Sequence, residues 1–197
     1  MNLVATQFYK SQHQYWHHHL LVWNLRLENI DLSPIQNELL RNDIWQGNNP
    51  QGDLRLNYKT GSSSIIDPFI QEFMELKSTV IDIMYDSDPR SFKQIFYKDK
   101  EYYKDRTNFI TVIYKDLPGF DMAPHKDNSH IIGQLLINLV DNSTSTDFYN
   151  TQGQPPVLNG SSKQYEGVLF LNNSNSIHGI DGIVKDRYVL YSSVTLD

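Results

Sequence analysis

Pro124-His125-Lys126-Asp127 places a histidine and a carboxylate two residues apart, and a second histidine, His178, follows far down the chain. On an extended segment side chains alternate faces with period 2, so His125 and Asp127 point to the same side and can reach one metal ion. The long gap to His178 lets the chain leave the first strand pair and return on a neighbouring strand. Two neutral imidazoles and one carboxylate then occupy one face of an octahedral ion, a set that favours non-haem Fe(II) and leaves the other positions open for substrates. Arg187 opens the apolar run Tyr188-Val189-Leu190-Tyr191. A permanent positive charge on such a strand calls for an anion, and an anionic co-substrate would be one.

The elements that must position these residues are strands. Phe109-Ile110-Thr111-Val112-Ile113-Tyr114 runs through Leu117-Pro118-Gly119 to the His-x-Asp, and residues 131–140 form the next strand. In that strand Gln134, Leu136 and Asn138 share one parity and Leu135, Ile137 and Leu139 the other, so two amides face one side. Gly167-Val168-Leu169-Phe170-Leu171-Asn172 precedes His178. Together these motifs resemble the 2-oxoglutarate and Fe(II)-dependent dioxygenases, and the flanking text is similar to their prolyl 4-hydroxylase-like branch, over residues 109–194. The chain departs from that branch at Met122 and Asn138, where relatives often carry Tyr, and at Val189, where they often carry Ser.

The resemblance implies a mainly β protein with supporting helices, built on a double-stranded β-helix or jelly-roll, cupin-like core. It implies Fe(II) on His125, Asp127 and His178, 2-oxoglutarate with its far carboxylate on Arg187, and Tyr114 and Asn138 as further contacts to the co-substrate. Dioxygen is the other substrate and ascorbate an accessory reductant. The implied reaction hydroxylates a protein residue such as proline, an amino acid or a small metabolite, with release of succinate and CO2. Two other readings stand beside it. A catalytically silent, cupin-like binding protein would share the fold, though an intact triad followed by Arg187 weighs against it. The nucleic-acid demethylating oxygenases usually carry a second Arg soon after the first, and here none follows Arg187.

Composition narrows the rest. The 197 residues fit one domain, 1–197, with N-terminal strands and supporting helices over 1–107 and the catalytic core over 108–197. A chain of this length buries about 70% of its unfolded surface without covalent staples. With no cysteine, disulfides and thiolate metal sites are excluded. A net charge of −6 and a pI of 5.6 argue against a broad electrostatic grip on nucleic acid. No apolar run is long enough for a membrane span and no leader pattern opens the chain, which is expected to be cytoplasmic. The expected partner is a peptide, protein or small-molecule substrate; oligomeric state is not encoded in any motif.

Along the chain, residues 1–14 show no periodicity and residues 20–27 read as an edge strand. His17-His18-His19 has no neighbouring carboxylate, and alternate faces let at most two of the three converge, so it is read as structural. Ser33-Pro34-Ile35-Gln36 predicts a capping box and a helix over 34–42. Residues 47–52 read as a loop. Phe69, Phe73, Leu76, Val80 and Met84 predict a second helix over 67–84 with its apolar face on the sheet. Residues 92–106 mix Tyr and Phe with Lys and Arg and read as a strand or loop over the barrel mouth, a pattern also open to single-stranded nucleic acid. Residues 146–149 read as a short strand and 153–162 as a loop at the rim, so substrate selection is expected from 92–106 and 143–163.

Overall fold

A computed structural model of the chain describes residues 1–11, 19–47 and 54–196. Its elements, in chain order, begin with β1 (Asn2–Lys10), β2 (Leu21–Glu28), α1 (Ser33–Leu39), β3 (Trp45–Gly47) and β4 (Arg55–Tyr58). Four helices follow, α2 (Ile66–Met74), α3 (Lys77–Ser87), α4 (Pro89–Phe96) and α5 (Lys100–Arg106). The remaining strands are β5 (Thr107–Asp116), β6 (Met122–His125), β7 (Ile131–Asn138), β8 (Asp147–Tyr149), β9 (Leu158–Asn159), β10 (Glu166–Leu171), β11 (Ile177–Ile180) and β12 (Arg187–Leu196).

The strands form two antiparallel sheets. The larger runs β1-β2-β10-β7-β12-β5-β4-β3 and the smaller β6-β11-β8-β9. Parity assigns each face of the larger sheet to a different layer. Trp23, Leu25, Leu135, Ile137, Leu169 and Leu190 turn toward the helices and join one core with Phe69, Phe73 and Val80. Val22, Val168 and Phe170 turn the other way, onto Phe148 of the smaller sheet. A sheet buried on both faces reads as a nearly continuous apolar run, as residues 168–171 do. The result is a jelly roll with helices on its outer face, the architecture expected from the sequence.

Several boundaries differ from expectation. Residues 20–27 are not an edge: β2 lies between β10 and β1, and β1 is the true edge strand. Most of β1 is exposed on both faces, so no alternation marks it in the sequence. The capping box does not form. The Ser33 amide donates to Asp31 Oδ1 (2.9 Å) and Gln36 Nε2 to the Leu139 carbonyl (3.0 Å), and the helix ends at Leu39. The span 67–84 is two helices meeting at Glu75-Leu76. Phe73 stacks on Phe109 of β5 while α3 packs against β1 and α5, and one straight helix cannot follow both surfaces.

Residues 92–106 are the end of α4, a short break at 97–99 and α5, rather than a strand or loop at the mouth. Lys104 pairs with Asp82 (2.8 Å) and Lys100 with Asp86 (2.9 Å), so charges of the basic-aromatic segment close onto α3. The expected loop at 47–52 falls almost wholly outside the described residues, as do His17 and His18. His19 is described, and its Nδ1 bonds to the Ser11 carbonyl. Among the described residues no helix is long and apolar enough to cross a membrane.

Candidate active site

The smaller sheet brings the two histidines together. His125 at the end of β6 and His178 in β11 are direct cross-strand partners, and their ring centroids lie 4.5 Å apart. The approach is close enough to require glycine beside it: a Cβ on Gly179 would sit 2.7 Å from the Met122 carbonyl oxygen. Each ring is fixed by its own strand. Nδ1 of His125 donates to the Ala123 carbonyl and Nδ1 of His178 to the Ser176 carbonyl, both at 3.0 Å. A carbonyl only accepts, so each Nδ1 carries a proton, which makes Nε2 the ligating atom of each ring in its neutral form.

Both Nε2 atoms face Asp127, which lies just past β6. His178 Nε2 is 3.2 Å from Asp127 Oδ2 and His125 Nε2 is 3.7 Å from Oδ1. The three potential ligand atoms lie within 4.8 Å of one another. Gln134 of β7 reaches across from the larger sheet and donates its amide to Asp127 Oδ2. That bond sets the carboxylate's rotation, the usual task of a group behind a ligand. His178 is buried beside Phe170 (4.7 Å between centroids). Burial pushes its pKa down against the pull of Asp127, keeping the imidazole neutral, the form that ligates a metal. The donor set therefore fits a divalent cation such as Fe(II).

A second cluster lies at the other end of the larger sheet. Asp116 of β5 is the register partner of Arg55 on β4 and of Arg187 on β12, so the three side chains form one cross-strand row. Asp116 accepts from Arg55 Nε (2.5 Å) and Nη2 (2.9 Å) and from Arg187 Nη1 (2.8 Å). Arg187 Nη2 also donates to Thr146 Oγ1 (3.3 Å). All three members of the row are buried, Asp116 completely. Burial pushes the Arg187 pKa down and Asp116 opposes it. The triad and this row border one cavity between the sheets, whose wall includes His125, Asp127, His178, Gln134, Arg55 and Thr146.

No protein-family model and no curated protein matches the sequence. Solved structures match in fold. A prolyl-4-hydroxylase from Pseudomonas putida superposes with a TM-score of 0.54 at 11% identity, over 84% of this chain and 86% of its own. The fold is shared with a prolyl-4-hydroxylase. HygX from Streptomyces hygroscopicus, solved with nickel, 2-oxoglutarate and hygromycin B bound, superposes with a TM-score of 0.49 at 10% identity, over 89% of this chain and 82% of its own. At such identities the likeness to the prolyl-4-hydroxylase is one of architecture, and the chemistry rests on the residues.

Of the residues singled out in the sequence, His125, Asp127, His178 and Tyr114 line the cavity. Arg187 lies behind it, and Asn138 is elsewhere. Asn138 Nδ2 donates to the carbonyls of Ser161 (2.8 Å) and Glu166 (2.9 Å), and its Oδ1 accepts from Asn142 (2.8 Å), which ties β7 to the chain entering β10. It shares parity with Gln134, but four residues along a strand is roughly 13 Å, and only Gln134 is level with the metal face. Arg55, Asp116, Thr146 and Tyr191 were not foreseen. Tyr191 had a signal, since it shares parity with Arg187 on β12. Arg55 and Asp116 had none, because a cross-strand row depends on register that no local pattern reports. Just before the expected rim loop at 153–162, Gln152 Nε2 donates to the Pro124 carbonyl (3.0 Å), and that span holds the short strand β9 rather than loop throughout.

Proposed function

We propose that the protein is an Fe(II)- and 2-oxoglutarate-dependent dioxygenase that hydroxylates a peptide, protein or small-molecule substrate. One observation carries this reading: a two-histidine, one-carboxylate face and a buried arginine-rich row border the same cavity. A metal face alone would suit many ions, and a cationic row alone many anions. A co-substrate that chelates a metal at one end and carries a carboxylate at the other suits both.

When bound, the metal and 2-oxoglutarate supply the activation of dioxygen and the oxidising power for hydroxylation. The chain's own share is placement. Backbone carbonyls of Ala123 and Ser176 aim the two imidazoles, Gln134 holds the Asp127 carboxylate, and Phe148 and Phe170 close one side of His178 against water. Met122 and Ile180 supply apolar wall next to the ligands, leaving exposed Asp121 and Ala123 and the exposed 150–157 segment as the surface for substrate selection.

The competing reading is a binding protein without turnover, favoured by the carboxylate of Asp116 already seated on Arg187. One experiment separates the two. Wild-type protein loaded with Fe(II) should bind 2-oxoglutarate and release succinate in air, and His178→Ala and Asp127→Ala should abolish that release while the far-UV circular dichroism is retained. Metal binding without 2-oxoglutarate binding or succinate release in the wild type would leave only the binding protein.

A further inference from the structure

We propose that Arg55 is the group that receives the distal carboxylate of 2-oxoglutarate, with Asp116 and Arg187 behind it as positioning residues. The inference rests on the reading above and assigns the anion end of that site to a strand far from the metal motif in sequence.

Three observations carry it. Arg55 lines the cavity, whereas Arg187 does not; what Arg187 contributes to the wall is Thr146, whose hydroxyl accepts from its Nη2 at 3.3 Å. The Arg55 guanidinium also lies over two aromatic faces, 4.6 Å from the Tyr114 ring centroid and 4.3 Å from that of Phe120. A planar fork packed on aromatic faces keeps its donors in one plane, the geometry that suits a carboxylate. Finally, Asp116 grips the Nε/Nη2 edge of Arg55 with both oxygens while holding Arg187 with one of them. Two guanidiniums against one carboxylate leave the row itself cationic, and Asp116 transmits the position of Arg187 to Arg55 without touching the ligand.

The division of labour follows from register. β5 lies between β4 and β12, so Asp116 has an arginine on either side, and of the two only Arg55 of β4 lines the cavity. Tyr114 lies two residues before Asp116, shares its parity and also lines the cavity. Arg55, Tyr114 and Thr146 thus surround the expected carboxylate.

The test compares 2-oxoglutarate with 2-oxopentanoate, which has the same chain length but lacks the distal carboxylate. Both are titrated calorimetrically into Co(II)-loaded protein. Wild type should prefer the dicarboxylate by about 30-fold or more, the lower end of what removing one partner of a buried charge pair costs. Two near-isosteric double variants then separate the arginines. Asp116→Asn with Arg187→Gln leaves Arg55 as the row's sole charge and should retain the preference; Asp116→Asn with Arg55→Gln leaves Arg187 and should lose it, with 2-oxopentanoate and Co(II) affinity unchanged. The opposite pattern, or equal preference in both double variants, overturns the assignment. If either double variant fails to fold, Arg55→Lys keeps the charge without the fork and should weaken only the dicarboxylate. A wild type that binds neither keto acid would instead refute the dioxygenase reading itself.

Discussion

At the residue scale, the groups of the candidate metal face are held in place by the protein's own hydrogen bonds. Each imidazole is aimed by a carbonyl two residues earlier on its own strand, and Asp127 is held by Gln134 from the opposite sheet. Gln134 is therefore the residue whose loss tests positioning apart from ligation. Gln134→Leu keeps the volume and removes the donor, and should weaken Co(II) or Fe(II) affinity by about 10- to 100-fold, the usual effect of losing a group behind a ligand. Metal titration followed by d–d absorbance of the cobalt form would check this, and unaltered affinity would show that Asp127 needs no such support. Stripping the metal with a chelator should end succinate release and leave the fold intact, because the bonds that hold the ligands are made by the protein alone.

At the element scale, the close approach of β10 to β7 is one device that sets the sheet on which Gln134 stands. Gly167 faces Ile137 across that pair, and a Cβ there would lie 1.9 Å from the Leu136 carbonyl oxygen. No rotamer relieves a clash with backbone, so Gly167→Ala should destabilise by about 3 kcal/mol, toward the upper end of overpacking costs. For a chain of this size that is a fall of roughly 6–12 °C in Tm. Gly47→Ala, where a Cβ would meet nothing within 4 Å, is the matched control and should leave Tm in place. Elements of this central kind were the most legible in sequence. Strand β5 was readable from period-2 apolar text, the mark of a strand packed mainly on one face, and β7 and β10 from nearly continuous apolar text, the mark of strands packed on both; His125, Asp127 and His178 were readable as a group because their spacing is a chemical constraint. Strand β1 was not legible, since an exposed edge has no apolar face to display. The break between α2 and α3 was hidden because the apolar stripe continues across it. Arg55 and Asp116 were hidden for a further reason: each looks like an ordinary surface charge until β4, β5 and β12 are set side by side.

At the scale of the whole molecule, the two halves of the sequence are interleaved. β2, from the N-terminal half, covers the open edge of β10, and β4 covers that of β5, so N-terminal strands complete both ends of a sheet whose centre is C-terminal. The helices add to this. Phe69, Phe73 and Val80 share one core with Ile137 and Leu190, and Tyr58 and Trp23 belong to it as well. The candidate metal triad lies wholly in the C-terminal half, yet Arg55 brings part of the cavity wall from the other. A fragment limited to residues 108–197 would hold every metal ligand but expose two unpaired strand edges and the helix-facing side of its sheet, both of which favour association over folding. That fragment is expected to show no cooperative thermal transition and to aggregate, while the full chain unfolds cooperatively. Circular dichroism melts of the two, with light scattering recorded in parallel, make the comparison. A soluble fragment with a cooperative transition would mean that the C-terminal strands form a self-sufficient unit, and that the N-terminal half serves the anion end of the cavity without supporting the fold.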